Sequence, residues 1–200
     1  MFTFGTRRGV ENRSVWGETM ENSLENSIAL LEHTPAALNA LLRGLPKAWT
    51  ETDEGQGTWS PAMVVAHLVH GEHEDWIPRA KLILQFGEAQ AFARFDREGH
   101  LLYSRGKTQE QLLDDFAEAR ARSLEELRTL KLTAEDLRRK GRHPALGVVT
   151  LSQLLATWAA HDLTHLHQIS RIMACQYREA VGPWSRFLGV MHCAGHSEPA

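Results

Sequence analysis

The run WAAHDLTHLHQI, residues 158–169, places imidazoles at His161, His165 and His167. On a helix, residues four apart share a face, with Cβ atoms about 5–6 Å from each other. His161 and His165 therefore stand side by side. Their face continues Leu151, Leu154, Leu155 and Trp158 and leads on to Ile169 and Ile172, which turns both rings toward an interior. Two neutral imidazoles in a low-dielectric core are costly unless something uses their lone pairs. A divalent cation does so, and histidines at i, i+4 chelate one from a single helix. The pair by itself also fits a plainer reading, with one ring exposed and the other a hydrogen-bonded core residue. Asp162 follows the first histidine, so the run is not the HExxH of zinc proteases.

A third imidazole favours the metal. His67 lies three after Val64, between Ala66 and Leu68, within an apolar stripe. His70 shares a flank with it, and His73 faces elsewhere, toward solvent. An interior His67 opposite His161 and His165 makes a three-nitrogen site. Three histidines leave a coordination position for water or substrate, the arrangement of catalytic rather than structural zinc. Asp162 and Gln168 are placed to orient ligands from behind; Asp162 serves equally to pair with a surface arginine. Glu72 and Asp162 are the candidate acid–base groups, while Glu74 reads as solvated. The run His192, Cys193, His196 has a zinc-compatible spacing but lacks a partner pair, and accidental tail composition is the preferred reading.

Four segments with helical periodicity must position these residues. The first, 21–45, carries Leu24, Ile28, Leu31, Leu38, Leu41 and Leu42 and is interrupted at Pro35, where a kink or break is expected. The second, 61–86, opens on Ser60 as N-cap with Pro61 at the first helical position, and Pro78 predicts a bend near Trp76. The third follows a capping-box signal at Thr108 and Gln111 and uses Leu112, Leu113, Phe116, Ala119, Leu124 and Leu127. The fourth begins after Thr150. Residues 87–107 and 131–150 read as connections, and a short helical turn is expected at 186–190. No clear alternating strand pattern competes, so the chain reads as an all-α four-helix bundle. Unequal connections leave its up-down order open.

Composition sets the outer bounds. Two hundred residues fit one domain, read as an N-terminal arm at 1–20, the bundle at 21–190 and a tail at 191–200. The net charge of −3 gives no electrostatic case for gripping nucleic acid. No stretch nears the roughly 20 apolar residues that span a bilayer. The first 20 residues lack the apolar core of a secretory signal and read as a flexible or loosely docked arm. Two distant cysteines, Cys175 and Cys193, do not make a disulfide scaffold, and a reducing cytoplasm is the expected compartment.

Trp59 and Ser60 ahead of the second helix, Val65 to Leu68 with Glu72, and His161, Asp162 and His165 through Ile169 stand in a familiar order. So do Gly147 to Leu151 and Gly182 to Trp184. Together they resemble the DinB/YfiT-like family over roughly 21–190. The resemblance implies a metal triad on His67, His161 and His165, within a four-helix bundle that is often a homodimer. It implies a divalent ion, zinc or nickel first, iron or manganese next. Many members carry a second histidine three after the first ligand, where this chain has Thr164 and bears His167 instead. The implied activity on a small-molecule substrate is transfer of a low-molecular-weight thiol to an electrophile. The alternatives are metal-dependent hydrolysis and a non-enzymatic metal-binding or stress-response dimer.

Overall fold

The computed structural model of the chain describes residues 24–193. The arm read at 1–20 and the tail from residue 194 on, His196 included, lie outside the described residues. In chain order the elements are α1 (Leu24–Leu42), α2 (Lys47–Thr50), α3 (Pro61–Glu74), α4 (Trp76–Phe86), α5 (Gly99–Tyr103), α6 (Gln109–Thr129), α7 (Ala134–Arg138), β1 (Lys140–His143), β2 (Gly147–Thr150) and α8 (Leu151–Cys175). Two 3₁₀ turns, Gly182–Phe187 and Gly189–Met191, follow; they begin earlier than the turn expected at 186–190. No helix among the described residues is long and apolar enough to cross a membrane.

Local chemistry explains where the long helices begin. Ser60 Oγ accepts from Met63 N ahead of Pro61, so an orphan donor of the first turn is satisfied. Thr108 with Gln111 closes the expected capping box, and Thr150 closes another with Gln153. The bend expected near Trp76 is a break at Asp75. Pro78 then falls in the first turn of α4, where its missing N–H is harmless.

Pro35 does not break α1, which runs as one element through it. A proline deprives the carbonyl four residues back of its donor, here that of Leu31. Arg120 Nη1 donates to Leu31 O at 2.9 Å instead. The orphan is satisfied by a tertiary bond invisible to local reading.

α1 packs against α6 and α8, and α3 also packs against α6 and α8, with α4 on α8. The consecutive long helices α1 and α3 thus sit across the bundle from one another, and the order is not simple up-down-up-down. Two apolar clusters fill the interior. One contains Leu31, Trp76, Leu124 and Trp158. The other contains Leu38, Val69, Phe116 and Ile169. α1, α6 and α8 each pass from one cluster to the other, and buried Glu72, Arg120, Asp162 and His165 form a polar layer in the interior.

The connections are more ordered than the sequence reading expected. Residues 131–150 contain an antiparallel hairpin pairing His143 with Gly147 and Lys140 with Thr150. Its three-residue loop, 144–146, leads into Gly147, whose φ of +76° suits glycine, and His143 Nδ1 accepts from the backbone N–H groups of Ala145 and Leu146. With only four residues each and largely exposed, the strands show no readable alternation. Gly141 is the hairpin's closest approach to the bundle. A Cβ there would stand 2.6 Å from Ile83 Cγ1 and 3.1 Å from the Phe92 ring. Gly141→Ala should therefore lower stability by about 1–3 kcal/mol through overpacking, read as a drop in the urea midpoint. An unchanged midpoint would show that the hairpin yields freely.

Candidate metal centre

The polar layer is built on Arg120, 1 % exposed at the middle of α6. Its Nη1 and Nη2 donate to Asp162 Oδ2 and Oδ1 at 2.6 and 2.9 Å, a two-pronged pairing that guanidinium geometry favours. Its Nε and Nη2 donate to Glu72 Oε1 at 3.1 and 2.8 Å. Trp158 Nε1 donates to the same oxygen at 3.0 Å. The guanidinium also lies over the Phe116 and Trp158 rings, 4.9 and 5.2 Å from their centres. Burial alone would lower the Arg120 pKa; the hydrogen bond to Asp162 and the charge of Glu72 outweigh it and raise it. Asp162 therefore pairs with a buried arginine, not the surface arginine considered from the sequence. Glu72 is buried as well, with Oε2 lacking a hydrogen-bond partner among the described residues. Both candidate acid–base carboxylates are engaged by one cation.

One turn along α8 from Asp162, His165 is 4 % exposed, and His67 on α3 is 7 % exposed. His161, half-buried, lies between them. Its Nε2 is 3.3 Å from His67 Nε2 and 3.0 Å from His165 Nε2. These histidines form a cluster whose ligand atoms all lie within 4.8 Å of one another. His165 Nδ1–H donates to Gln168 Oε1 at 2.7 Å, which leaves its Nε2 lone pair free to face the other two, as expected of a ligand held from behind. Three Nε2 atoms cannot all satisfy one another, since each neutral ring offers a single donor. A tetrahedral ion with nitrogen at about 2.0–2.1 Å would separate its ligands by about 3.3 Å. The spacing found fits such an ion, and an all-imidazole donor set suits a divalent transition metal.

Electrostatics favours the metal-binding form of each ring. Burial, then the neighbouring His165 and His100, lowers His67 from 6.5 to about 2. Burial, then His165 and His67, pushes His161 well below its ordinary value. Burial also lowers His165, against its bond to Gln168 and the charge of Asp162. All three rings are thus neutral in the folded protein near neutrality.

The stability consequence has a definite sign. A depressed folded pKa means the unfolded chain binds more protons below 6.5, so the triad's contribution is intact above that value and fades as pH falls toward the folded values. Between pH 7.5 and 5.5 the unfolded chain takes up protons that the buried rings refuse, so the triad's contribution shrinks over this window. Asp75, raised by burial to about 6, acts oppositely and returns about 1 kcal/mol over the same window. Metal-free protein should therefore be less stable at pH 5.5 than at pH 7.5 in urea unfolding, with the lowered His100 and His143 acting in the same direction as the triad. A flat profile would show the rings are not buried neutral.

The walls around the triad are aromatic. The half-buried Trp59 ring lies 4.9 Å from that of His67 and 6.5 Å from that of His165. Phe95 stands edge-on to His67 at 5.7 Å and also lines a neighbouring cleft of about 340 Å³ with His70, Arg79 and Asp96. His100, on α5, was not anticipated. It is 1 % exposed, 4.4 Å from Trp59 and 5.7 Å from His67 between ring centres. Residues 87–107 have no periodicity that would have singled it out.

The remaining candidates lie apart from the cluster. His70 Nε2–H donates to Asp96 O at 2.9 Å. His73 and Glu74 are exposed, as expected. His167 is exposed and lies 3.0 Å from Cys193 Sγ, while His192 Nε2–H donates to Ser185 O.

With this geometry in hand, the chain can be set beside known proteins. The profile of the DinB superfamily matches residues 30–169. Among solved structures, YfiT from Bacillus subtilis, described as a probable metal-dependent hydrolase with an unusual four-helix bundle topology, superposes with a TM-score of 0.62 at 24% identity. The match covers 86% of this chain and 94% of that one. No curated protein matches.

Proposed function

Since this chain belongs to the DinB superfamily, with a YfiT-like four-helix bundle around three clustered histidines, we propose that it is a metal-dependent enzyme whose ion is held by His67, His161 and His165, and that it transfers a low-molecular-weight thiol to an electrophile. The observation that carries the metal is the convergence of three Nε2 atoms, 3.0 and 3.3 Å apart, on neutral rings. When bound, a divalent ion would supply Lewis acidity, favouring a thiol in its nucleophilic thiolate form at neutral pH.

The protein's own groups divide the remaining work. His67, His161 and His165 present lone pairs. Gln168 fixes the orientation and tautomer of His165. Trp59 and Phe95 keep bulk water from one side of His67. Arg120 engages both oxygens of Asp162 and Oε1 of Glu72, so both carboxylates are buried in an ion pair that disfavours their taking the proton hydrolysis must move, whereas a thiolate needs no base at the moment of attack. In the overall reaction a sulfur–carbon bond forms and the bond to the leaving group breaks. The leaving group departs with its electron pair, and the thiol proton passes to solvent. Hydrolysis is the second reading, favoured by the description of YfiT.

The test pairs zinc- or nickel-loaded protein with glutathione and 1-chloro-2,4-dinitrobenzene, alongside a panel of esters and amides. Conjugation that needs metal and thiol together and is lost in His165→Ala supports thiol transfer. Thiol-independent hydrolysis, lost in the same variant, moves the assignment to the second reading. Activity in neither panel from metal-loaded protein contradicts both.

A further inference from the structure

The His100 side chain is almost without solvent exposure, at 1 % against 4 % for His165 and 7 % for His67. Neither of its nitrogens makes a well-formed hydrogen bond among the described residues, and only the Arg97 backbone comes near enough to interact with the ring. An interior imidazole left in this state loses its hydration with little compensation, at a cost comparable to a broken hydrogen bond. Such a residue persists when a ligand supplies the missing partner.

The ring is held in place by its surroundings. α5 packs on α3, and His70 on α3 donates to Asp96 O just ahead of α5. Gly99 is so close to His70 that a Cβ there would lie 2.5 Å from its ring. These contacts seat the His100 ring beside those of Trp59 and His67. It stands beyond the 4.8 Å cluster of ligand atoms, so it does not join the triad's donor set. Arg120, Glu72 and Asp162 are occupied with one another, whereas the ring nitrogens of His100 retain hydrogen-bonding capacity beside the triad.

We propose that His100 is the substrate-facing hydrogen-bonding residue of this site, holding an oxygen-bearing group, such as a carboxylate, hydroxyl or hydroxamate oxygen, of the molecule that binds beside the ion. The inference rests on the triad being a metal site and adds a residue that determines which ligands it accepts.

The experiment uses full-length protein loaded with cobalt(II), with acetohydroxamate titrated in and followed by the visible absorption of the ion. His100→Phe keeps a ring in the seat, His100→Leu offers a second apolar filling, and His100→Asn restores a donor and an acceptor. The wild type and the apolar variants should each hold one cobalt per chain. Acetohydroxamate should bind about tenfold or more weakly to either apolar variant, the worth of about one hydrogen bond, with partial recovery in His100→Asn. Equal acetohydroxamate affinity in a cobalt-loaded apolar variant overturns this inference and leaves the metal site standing. Loss of cobalt from both folded apolar variants also overturns it, since His100 would then serve the ion itself. A wild type that takes up no cobalt overturns the inference and the metal reading together.

Discussion

His165→Ala should reduce zinc affinity by at least about a thousandfold, so that protein holding one zinc per chain as wild type emerges from gel filtration with almost none. Losing a group that merely orients a ligand costs about 10–100-fold in affinity; deleting a ligand removes both the donor and its orientation by Gln168. His161→Ala should behave alike, because its Nε2 is the atom that both other rings face. His167→Ala, two residues further along the same helix but exposed, should keep the full complement. Competition against a chromophoric chelator measures the change. Wild-type affinity in either triad variant would mean the ligands lie elsewhere.

The largest stability effect is expected at Arg120. Arg120→Met leaves Glu72 and Asp162, 4 % and 0 % exposed, without their cation, and removes the donor on Leu31 O. Breaking a buried ion pair from one side costs about 3–5 kcal/mol because an uncompensated charge stays behind. Removing the charges as well should reverse much of this. The triple variant Arg120→Met, Glu72→Gln, Asp162→Asn should recover at least half the loss in urea unfolding, since replacing a whole buried ion network is often close to neutral. A loss under about 1 kcal/mol for Arg120→Met, or no recovery in the triple variant, would show that this network does not hold the helices in register.

What could be read from the sequence follows the range of the interactions involved. Helix periodicity, the Thr108 and Thr150 caps and the i, i+4 pair at His161 and His165 are local, and each stands in the structure. Arg120 was passed over although a signal existed. Glu72 lies four after Leu68 and four before Trp76, Arg120 lies four after Phe116 and four before Leu124, and Asp162 lies four after Trp158. Charged residues of both signs at core positions of three helices imply a buried ion cluster, but only if the helices are read together. Pro35 shows the same limit, because the partner that makes it tolerable is 85 residues away in sequence, at Arg120. His100 had no comparable signal. Its burial comes from docking of a five-residue helix within a stretch that reads as a loop.

X-ray absorption at the zinc edge, on protein loaded with one equivalent, tests the central claim most directly, because it reports the atoms bound to the ion. The account predicts three imidazole nitrogens at about 2.0–2.1 Å, with any remaining ligand an oxygen or nitrogen, and no sulfur. A sulfur neighbour at about 2.3 Å would place the ion at one of the two free cysteines, Cys175 or Cys193, and contradict the claim that the histidines of α3 and α8 alone hold it.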